Sequence, residues 1–330
     1  MVIGFLRSLL VIAILAATAA SFAPLFDTNA WWIRILDFPR MQLLVGLTTL
    51  LVFYVLFFRP LVWWDVAVCL LGAAAIAYHG FTLYPYMPFA DRPVRQVAKC
   101  DAASRLSILS ANVEESNREA DRVIERVRET DPDVFLAMET DPWWDEKLAV
   151  LEDMFPHSVA AITANTFGMH LFSKLPLLEP DVRREVGTDT PAIFTGIMLP
   201  NGTEARLLAI HPRPPATFQS ASNRDRQILR AAGVAQESAS PAIVVGDFNA
   251  VPWERVLHQA RGVGKLLDPR QGHGFMNSYR VGFMPMVAWP LDYVLFQDTF
   301  ALLSYELLPE VGSDHYPLYA VLCHGKAAAD

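Results

Sequence analysis

Residues 243–253 read IVVGDFNAVPW. Ile243, Val244 and Val245 are β-branched and suit a buried strand, whereas Asp247, Asn249 and Pro252 are residue types that end one. A core strand over Ala242–Val245 is therefore predicted, with two polar side chains delivered at its tip. The arrangement recurs on both sides of this stretch. Asn112 follows ILSA, Glu139 follows VFLAM, His211 follows LLAI, Asp292 stands between AWPL and YVLF, and Asp314 with His315 precedes YPLYAVL. Taken singly, each reads as a turn former, a helix-start acid or a loop histidine. Together, two amides, four carboxylates and two histidines stand at the edges of apolar runs. A rigid scaffold can aim such a set into one cleft.

The stretches between these residues alternate in character. Strands are predicted at Leu106–Ala111, Val134–Met138, His170–Phe172, Ile193–Leu199, Ala205–Ile210, Tyr293–Phe296 and Leu318–Leu322. Helices are predicted at Arg118–Glu129, where Ala120, Val123, Ile124 and Val127 share one face, and at Asn223–Gln236. Such a mixture is an α+β or α/β domain with a substantial sheet core. The apolar stretch Gly282–Trp289, just before Asp292, reads either as a core segment or as an apolar approach to the site.

Carboxylates and amides without a cysteine cluster suit a hard cation. Magnesium takes oxygen ligands and is held by one or two carboxylates plus a substrate phosphate; manganese suits the same ligands. Histidines beside it transfer protons or donate to a phosphoryl oxygen. This is equipment for hydrolysing a phosphate ester with water. Cys69, Cys100 and Cys323 match no zinc spacing and read as three unpaired thiols.

The order of the blocks SILSANV, DPDVFLAMET, LLAIHPRPP, IVVGDFNAVPW, PLDYVLF and GSDHYPL resembles the endonuclease/exonuclease/phosphatase superfamily, over about residues 104–323. The resemblance implies a four-layer αββα sandwich of the DNase-I-like kind. It also implies roles: Glu139 on the metal with Asn112 beside it, and Asp314 completing the metal environment. Asp247 activates the attacking water and Asn249 holds a phosphate oxygen. His315 contacts the scissile phosphate and is oriented by Asp292, while His211 assists the leaving group.

The first hundred residues are different in kind. They hold seven Lys and Arg and four acids, against 20 and 31 in residues 101–330, whose formal charge is −11. Three stretches are long and apolar enough to cross a bilayer: about 2–22, 41–58 and 61–82. Asp65 is expected at the interface, and Trp31–Arg40 as an interfacial helix. The Ala-rich end of the first stretch also resembles a signal-peptide cleavage site. Residues 83–103, with three prolines, read as a linker to a catalytic domain at 104–325.

Three spans put the N-terminus and the domain on opposite sides. Counting Lys and Arg favours a cytoplasmic domain. In layout, however, the chain resembles a bacterial group of three-span superfamily members, among them a teicoplanin-resistance membrane protein, with an outward-facing active site. An inner-membrane protein with an extracytoplasmic domain is therefore expected. The −11 charge argues against a polyanion as substrate, and Arg224, Arg226 and Arg230 read as helix-surface charges. The expected partners are the bilayer and a phosphoester, lipid-linked in the first instance. A membrane-anchored nuclease is the alternative.

Overall fold

The computed structural model of the chain describes residues 2–184, 190–215, 220–282 and 287–325. Its contacts divide it into two units, Met1–Ala90 with Pro215–Ala221, and Asp91–Pro214 with Ser222–Asp330.

The first unit is helical: α1 (Val2–Phe22), α2 (Trp31–Arg34), α3 (Arg40–Phe57) and α4 (Trp63–Leu83). Among the described residues, three helical stretches of 24, 18 and 24 residues are long and apolar enough to cross a membrane. At 1.5 Å per residue even the shortest reaches about 27 Å. Phe5, Phe57, Leu70 and Phe81 are 66%, 66%, 65% and 83% exposed, a surface that suits lipid better than water. Ile14, Leu47, Tyr54 and Ala75 form the contact between the helices. Gly72 allows it, since a Cβ there would meet Leu51 Cδ1 at 3.0 Å and Ile14 Cγ2 at 3.3 Å. Asp65, in the first turn of α4, is buried among the helices and accepts hydrogen bonds from Arg7, from the Tyr54 hydroxyl and from the Val62 N–H at 2.8 Å. A carboxylate at the start of a packed helix is tolerated there because three donors satisfy it.

The second unit contains β1 (Arg105–Asn112), α5 (Ala120–Thr130), β2 (Val134–Met138), α6 (Pro142–Leu148), β3 (His157–Ala161), β4 (Met169–Ser173), β5 (Leu177–Arg184), β6 (Pro191–Met198) and β7 (Glu204–Ile210). There follow α7 (Ser222–Glu237), β8 (Ala242–Asp247), α8 (Arg255–Gly264), β9 (Tyr279–Arg280), β10 (Ala288–Trp289), β11 (Asp292–Phe296), β12 (Phe300–Leu307) and β13 (Leu318–His324). One sheet runs β12-β13-β1-β2-β4-β3 and another β11-β8-β7-β6-β5. The β1–β2 and β7–β8 pairs are parallel, and the other neighbours within these two sheets are antiparallel.

Alternation along the strands builds the layers. Leu106, Ile108, Leu136 and Met138 from one sheet share a core with Leu207, Ala209, Ile243, Val245, Val294 and Phe296 from the other. The outer face of the first sheet packs Leu109 and Phe135 against Val123, Val127 and Trp144 of α5 and α6. That of the second packs Leu208, Val244 and Leu295 against Ile228, Ala231, Val256 and Leu257 of α7 and α8. The result is the αββα sandwich expected.

Two expectations need correction. Cys100 and Cys323 are not free thiols but a disulfide, joining residues 223 apart in sequence; Cys69 is free. Sequence spacing carries no information on a pairing made by the folded sheet. The later part of the linker is also not loose chain. Val97 donates to Leu302 O at 3.0 Å and Leu302 to Arg95 O at 2.8 Å, so residues 95–97 extend the β12 edge, with Val94 buried beneath. The prolines and charges around Val94 and Val97 concealed a single bridge onto a sheet edge, a place where both residue types are tolerated.

Candidate active site

Alternation also explains how the site is delivered. Asn112 continues the inward positions Leu106 and Ile108; His211 continues Leu207 and Ala209; Asp247 continues Ile243 and Val245; Asp292 precedes Val294 and Phe296. These four side chains therefore turn into the space between the two sheets at one end of their strands. Asp292 and Asp247 are direct partners across β11 and β8.

Seven of the eight predicted residues are linked by direct contacts, and Asp314 stands beside them as the chain neighbour of His315. Asn112 Nδ2 donates to Glu139 Oε1 at 2.8 Å and to Asp247 Oδ2 at 3.2 Å. Glu139 stands just past β2 at φ 63°, and its Oε2 accepts the Glu115 N–H at 3.3 Å. His211 Nε2 lies 3.7 Å from Asp247 Oδ2 and 3.9 Å from Glu139 Oε1. His315 is held between two carboxylates, with Nδ1 at 2.7 Å from Asp292 Oδ2 and Nε2 at 3.6 Å from Asp247 Oδ2. Asn249 donates its backbone N–H to Asp247 Oδ1 at 2.8 Å and its amide to Pro212 O at 3.0 Å, tying the loops after β7 and β8 together. The Asp314 N–H donates to Glu114 Oε2 at 3.1 Å.

Burial dominates the electrostatics. It pushes the Glu139 carboxyl up against the opposing effect of its Asn112 and Glu115 donors, and the Asp314 carboxyl up with help from Glu114. Burial, reinforced by Asp292 and opposed by His315, raises Asp247 to about 7. Burial disfavours a charged His315, but Asp292 and Asp247 overcome this and raise it to about 10. Burial, with the His315 charge beside it, lowers His211 to about 3. Around neutral pH the site thus holds one imidazolium, one neutral imidazole and carboxyls short of positive charge.

A divalent cation answers that shortage. The oxygens of Glu139, Asp314 and Asn112 are the hard donors such an ion takes. A second set, with no residue in common, is Asp247, Asp292 and His315, of which one ligand atom each lies within 4.8 Å of the others. In that set His315 Nδ1 is engaged with Asp292, and a protonated imidazole offers no lone pair, which weakens it as a nitrogen ligand. Asp292 Oδ1 and His211 Nδ1, both buried, lack hydrogen-bond partners.

Several supporting residues were not singled out from the sequence. Ser313 Oγ donates to Asn112 O at 2.8 Å and accepts the His315 N–H at 3.0 Å, joining β1 to the His315 loop. Ser278 Oγ accepts the N–H groups of Leu291 and Asp292 at 3.1 and 3.0 Å. The Tyr279 ring lies 4.9 Å from His315 and stacks at 6.0 Å on Trp289. Of the apolar stretch Gly282–Trp289, residues 283–286 lie outside the described residues. Arg224 corrects the expectation of a surface charge: it is 1% exposed, donates to Asn249 O at 2.9 Å and pairs with Glu254, fixing the loop that follows Asp247. Only the Ser313 position had a visible signal, its place beside Asp314 and His315; the others act through contacts between segments distant in sequence, which no spacing reveals.

Solved structures with this fold include D. rerio TDP2 complexed with a single-strand DNA product, at 16% identity and TM-score 0.57, covering 66% of this chain and 99% of that one. The human Nocturnin catalytic domain with bound sulfate matches at 17% identity and TM-score 0.55, covering 68% and 96%. An endonuclease/exonuclease/phosphatase family protein from Bacteroides thetaiotaomicron matches at 16% identity and TM-score 0.51, covering 67% and 98%. At these identities the likeness is one of fold. No curated relative matches the chain. The pattern of the Endonuclease/Exonuclease/phosphatase family matches residues 109–315, which span the cluster from β1 to His315. A match over more than half the chain, on an αββα sandwich whose inward strand ends meet in one carboxylate and histidine cluster, places this protein in the endonuclease/exonuclease/phosphatase family.

Proposed function

We propose that the chain is a membrane-anchored, divalent-metal-dependent phosphoesterase, with a catalytic domain over about residues 104–325 that hydrolyses a phosphate ester or pyrophosphate at the membrane surface. One observation carries this reading: His315 is clamped between Asp247 and Asp292 beside Glu139, a half-buried carboxyl whose hydrogen-bond donors, the Asn112 amide and the Glu115 N–H, are neutral. Glu139, Asn112 and Asp314 would hold magnesium or manganese. That ion supplies charge neutralisation at the phosphoryl oxygens and an acidified water. Asp247, near 7, orients the attacking water and takes its proton. His315, a cation at neutral pH, donates to a phosphoryl oxygen, and Asp292 keeps it charged and aimed. Asn249 holds a further oxygen. Neutral His211 donates toward the leaving group.

A substrate at the membrane is favoured over nucleic acid by the −11 charge of residues 101–330, which repels a polyanion, and by tethering, which raises the local concentration of membrane substrates. A lipid-linked phosphate or pyrophosphate is the first choice. The test is the ratio of kcat/KM for a prenyl pyrophosphate or phospholipid in vesicles to that for plasmid DNA, in one magnesium buffer. The ratio is expected to exceed one; efficient plasmid nicking with no lipid cleaved would promote the nuclease reading.

The proposal puts the catalytic domain outside the cytoplasm. The Cys100–Cys323 disulfide supports this, because such bonds persist in oxidising compartments, and it outweighs a Lys and Arg count that points the other way. Alkaline phosphatase fused at the C-terminus should be active and green fluorescent protein dark. The reverse pattern would put the enzyme in the cytoplasm.

A further inference from the structure

Because α1, α3 and α4 alternate in direction, the end of α1, the start of α3 and the end of α4 meet at one end of the helical unit. Polar side chains gather there. Ser21 Oγ lies 2.8 Å from Nε2 of His79, which is fully buried. Arg40 Nη2 donates to the Tyr78 hydroxyl at 3.2 Å and to Asp37 Oδ1 at 2.6 Å, and its guanidinium sits 4.9 Å over the Tyr78 ring. Arg34 reaches the other Asp37 oxygen at 3.5 Å, and its remaining bonds go to the carbonyls of Pro24, Phe26 and Thr28.

The charge in this group does not balance. Two guanidiniums share one carboxylate, and Arg34, Asp37 and Arg40 are each 2% exposed. Arg40 Nε and Nη1, His79 Nδ1 and Thr18 Oγ1 are buried without a hydrogen-bond partner. Arg40 also opens α3, an 18-residue helix whose N-terminus has no side-chain cap. Its first N–H groups and its dipole favour negative charge. Water can satisfy N–H groups, but it cannot neutralise a buried cation; an anion does both. Ionisable groups facing the interior of a membrane bundle mark sites for ligands or ions. A guanidinium, an imidazole and a helix N-terminus together suit a tetrahedral oxyanion.

We propose that this end of the helical unit, built on Arg40, His79 and Thr18, is a binding site for a phosphate group, distinct in residues from the catalytic cluster. In a membrane the phosphate is that of an anionic lipid headgroup; free phosphate has the same chemistry. The helices are then a lipid-recognising element as well as an anchor.

The test titrates the full chain, delipidated in a neutral detergent, with phosphatidylglycerol, phosphatidylcholine and inorganic phosphate by calorimetry. Phosphatidylglycerol should bind at least about tenfold more tightly than phosphatidylcholine. Arg40→Met should weaken it about tenfold or more, and Arg59→Met, an exposed residue at the other end of α3, should leave it unchanged. Inorganic phosphate matching phosphatidylglycerol, and losing affinity equally in Arg40→Met, would support the site and assign it to the free anion. Equal affinity for the two lipids with no phosphate bound, or equal effects of the two variants, would overturn the proposal. If Arg40→Met does not fold, the three titrations of the natural chain decide.

Discussion

Glu139→Gln is expected to lower phosphate release by about 10³-fold or more. The substitution keeps the size of the side chain and removes one charge from the group best suited to a hard cation. A metal ion contributes several kcal/mol of transition-state charge stabilisation, and each ~1.4 kcal/mol is tenfold in rate. A fall of this size should appear in kcat with little change in thermal unfolding. Glu139 is also a half-buried carboxyl that desolvation pushes toward its neutral form, so the neutral amide costs the fold little. A residual rate within tenfold of the natural enzyme, with metal saturating, would remove Glu139 from the chemistry.

The second large effect is expected at His315. His315→Ala should reduce kcat by about 10²–10⁴-fold, the range for removing a positioned proton donor. It also leaves Asp247 and Asp292 facing each other without the cation that separates them. Asp292→Asn tests the same contact from the other side. The imidazole keeps a hydrogen-bond partner but loses the charge that holds its pKa near 10. The falling limb of the rate against pH should therefore move to lower pH, because His315 then deprotonates earlier. If Asp292→Asn lowers the rate equally at all pH values, Asp292 acts on packing and not on the charge of His315.

The sequence was most readable where one inward-facing strand position runs straight into a polar residue. Asn112, His211, Asp247 and Asp292 each share the parity of the core residues in their strand, so periodicity alone sends them to one space. Val134–Met138 is found at the predicted bounds, and α7 and α5 within about two residues of theirs. The omissions have a common cause. β5 reads LLEPDVRR and is largely exposed, so no apolar run announced it. Residues 95–97 join an edge, where charges and prolines are permitted. Arg224 looked like any helix arginine because its partners, Asn249 O and Glu254, lie 25 and 30 residues away in sequence. The Cys100–Cys323 pairing depends on strand order, which no local pattern encodes. At the site, the residues that meet at the strand ends were legible and those that hold them in place were not.

The central claim is that a divalent cation on Glu139, Asn112 and Asp314 drives hydrolysis of a phosphoester. The direct test is phosphate release by the purified full chain in detergent. A panel of prenyl pyrophosphates, phospholipids, sugar phosphates and DNA is run with excess EDTA, and again after magnesium or manganese is restored. The account predicts release from at least one member of the panel that vanishes in EDTA and returns with the metal. Undiminished hydrolysis in EDTA would contradict it.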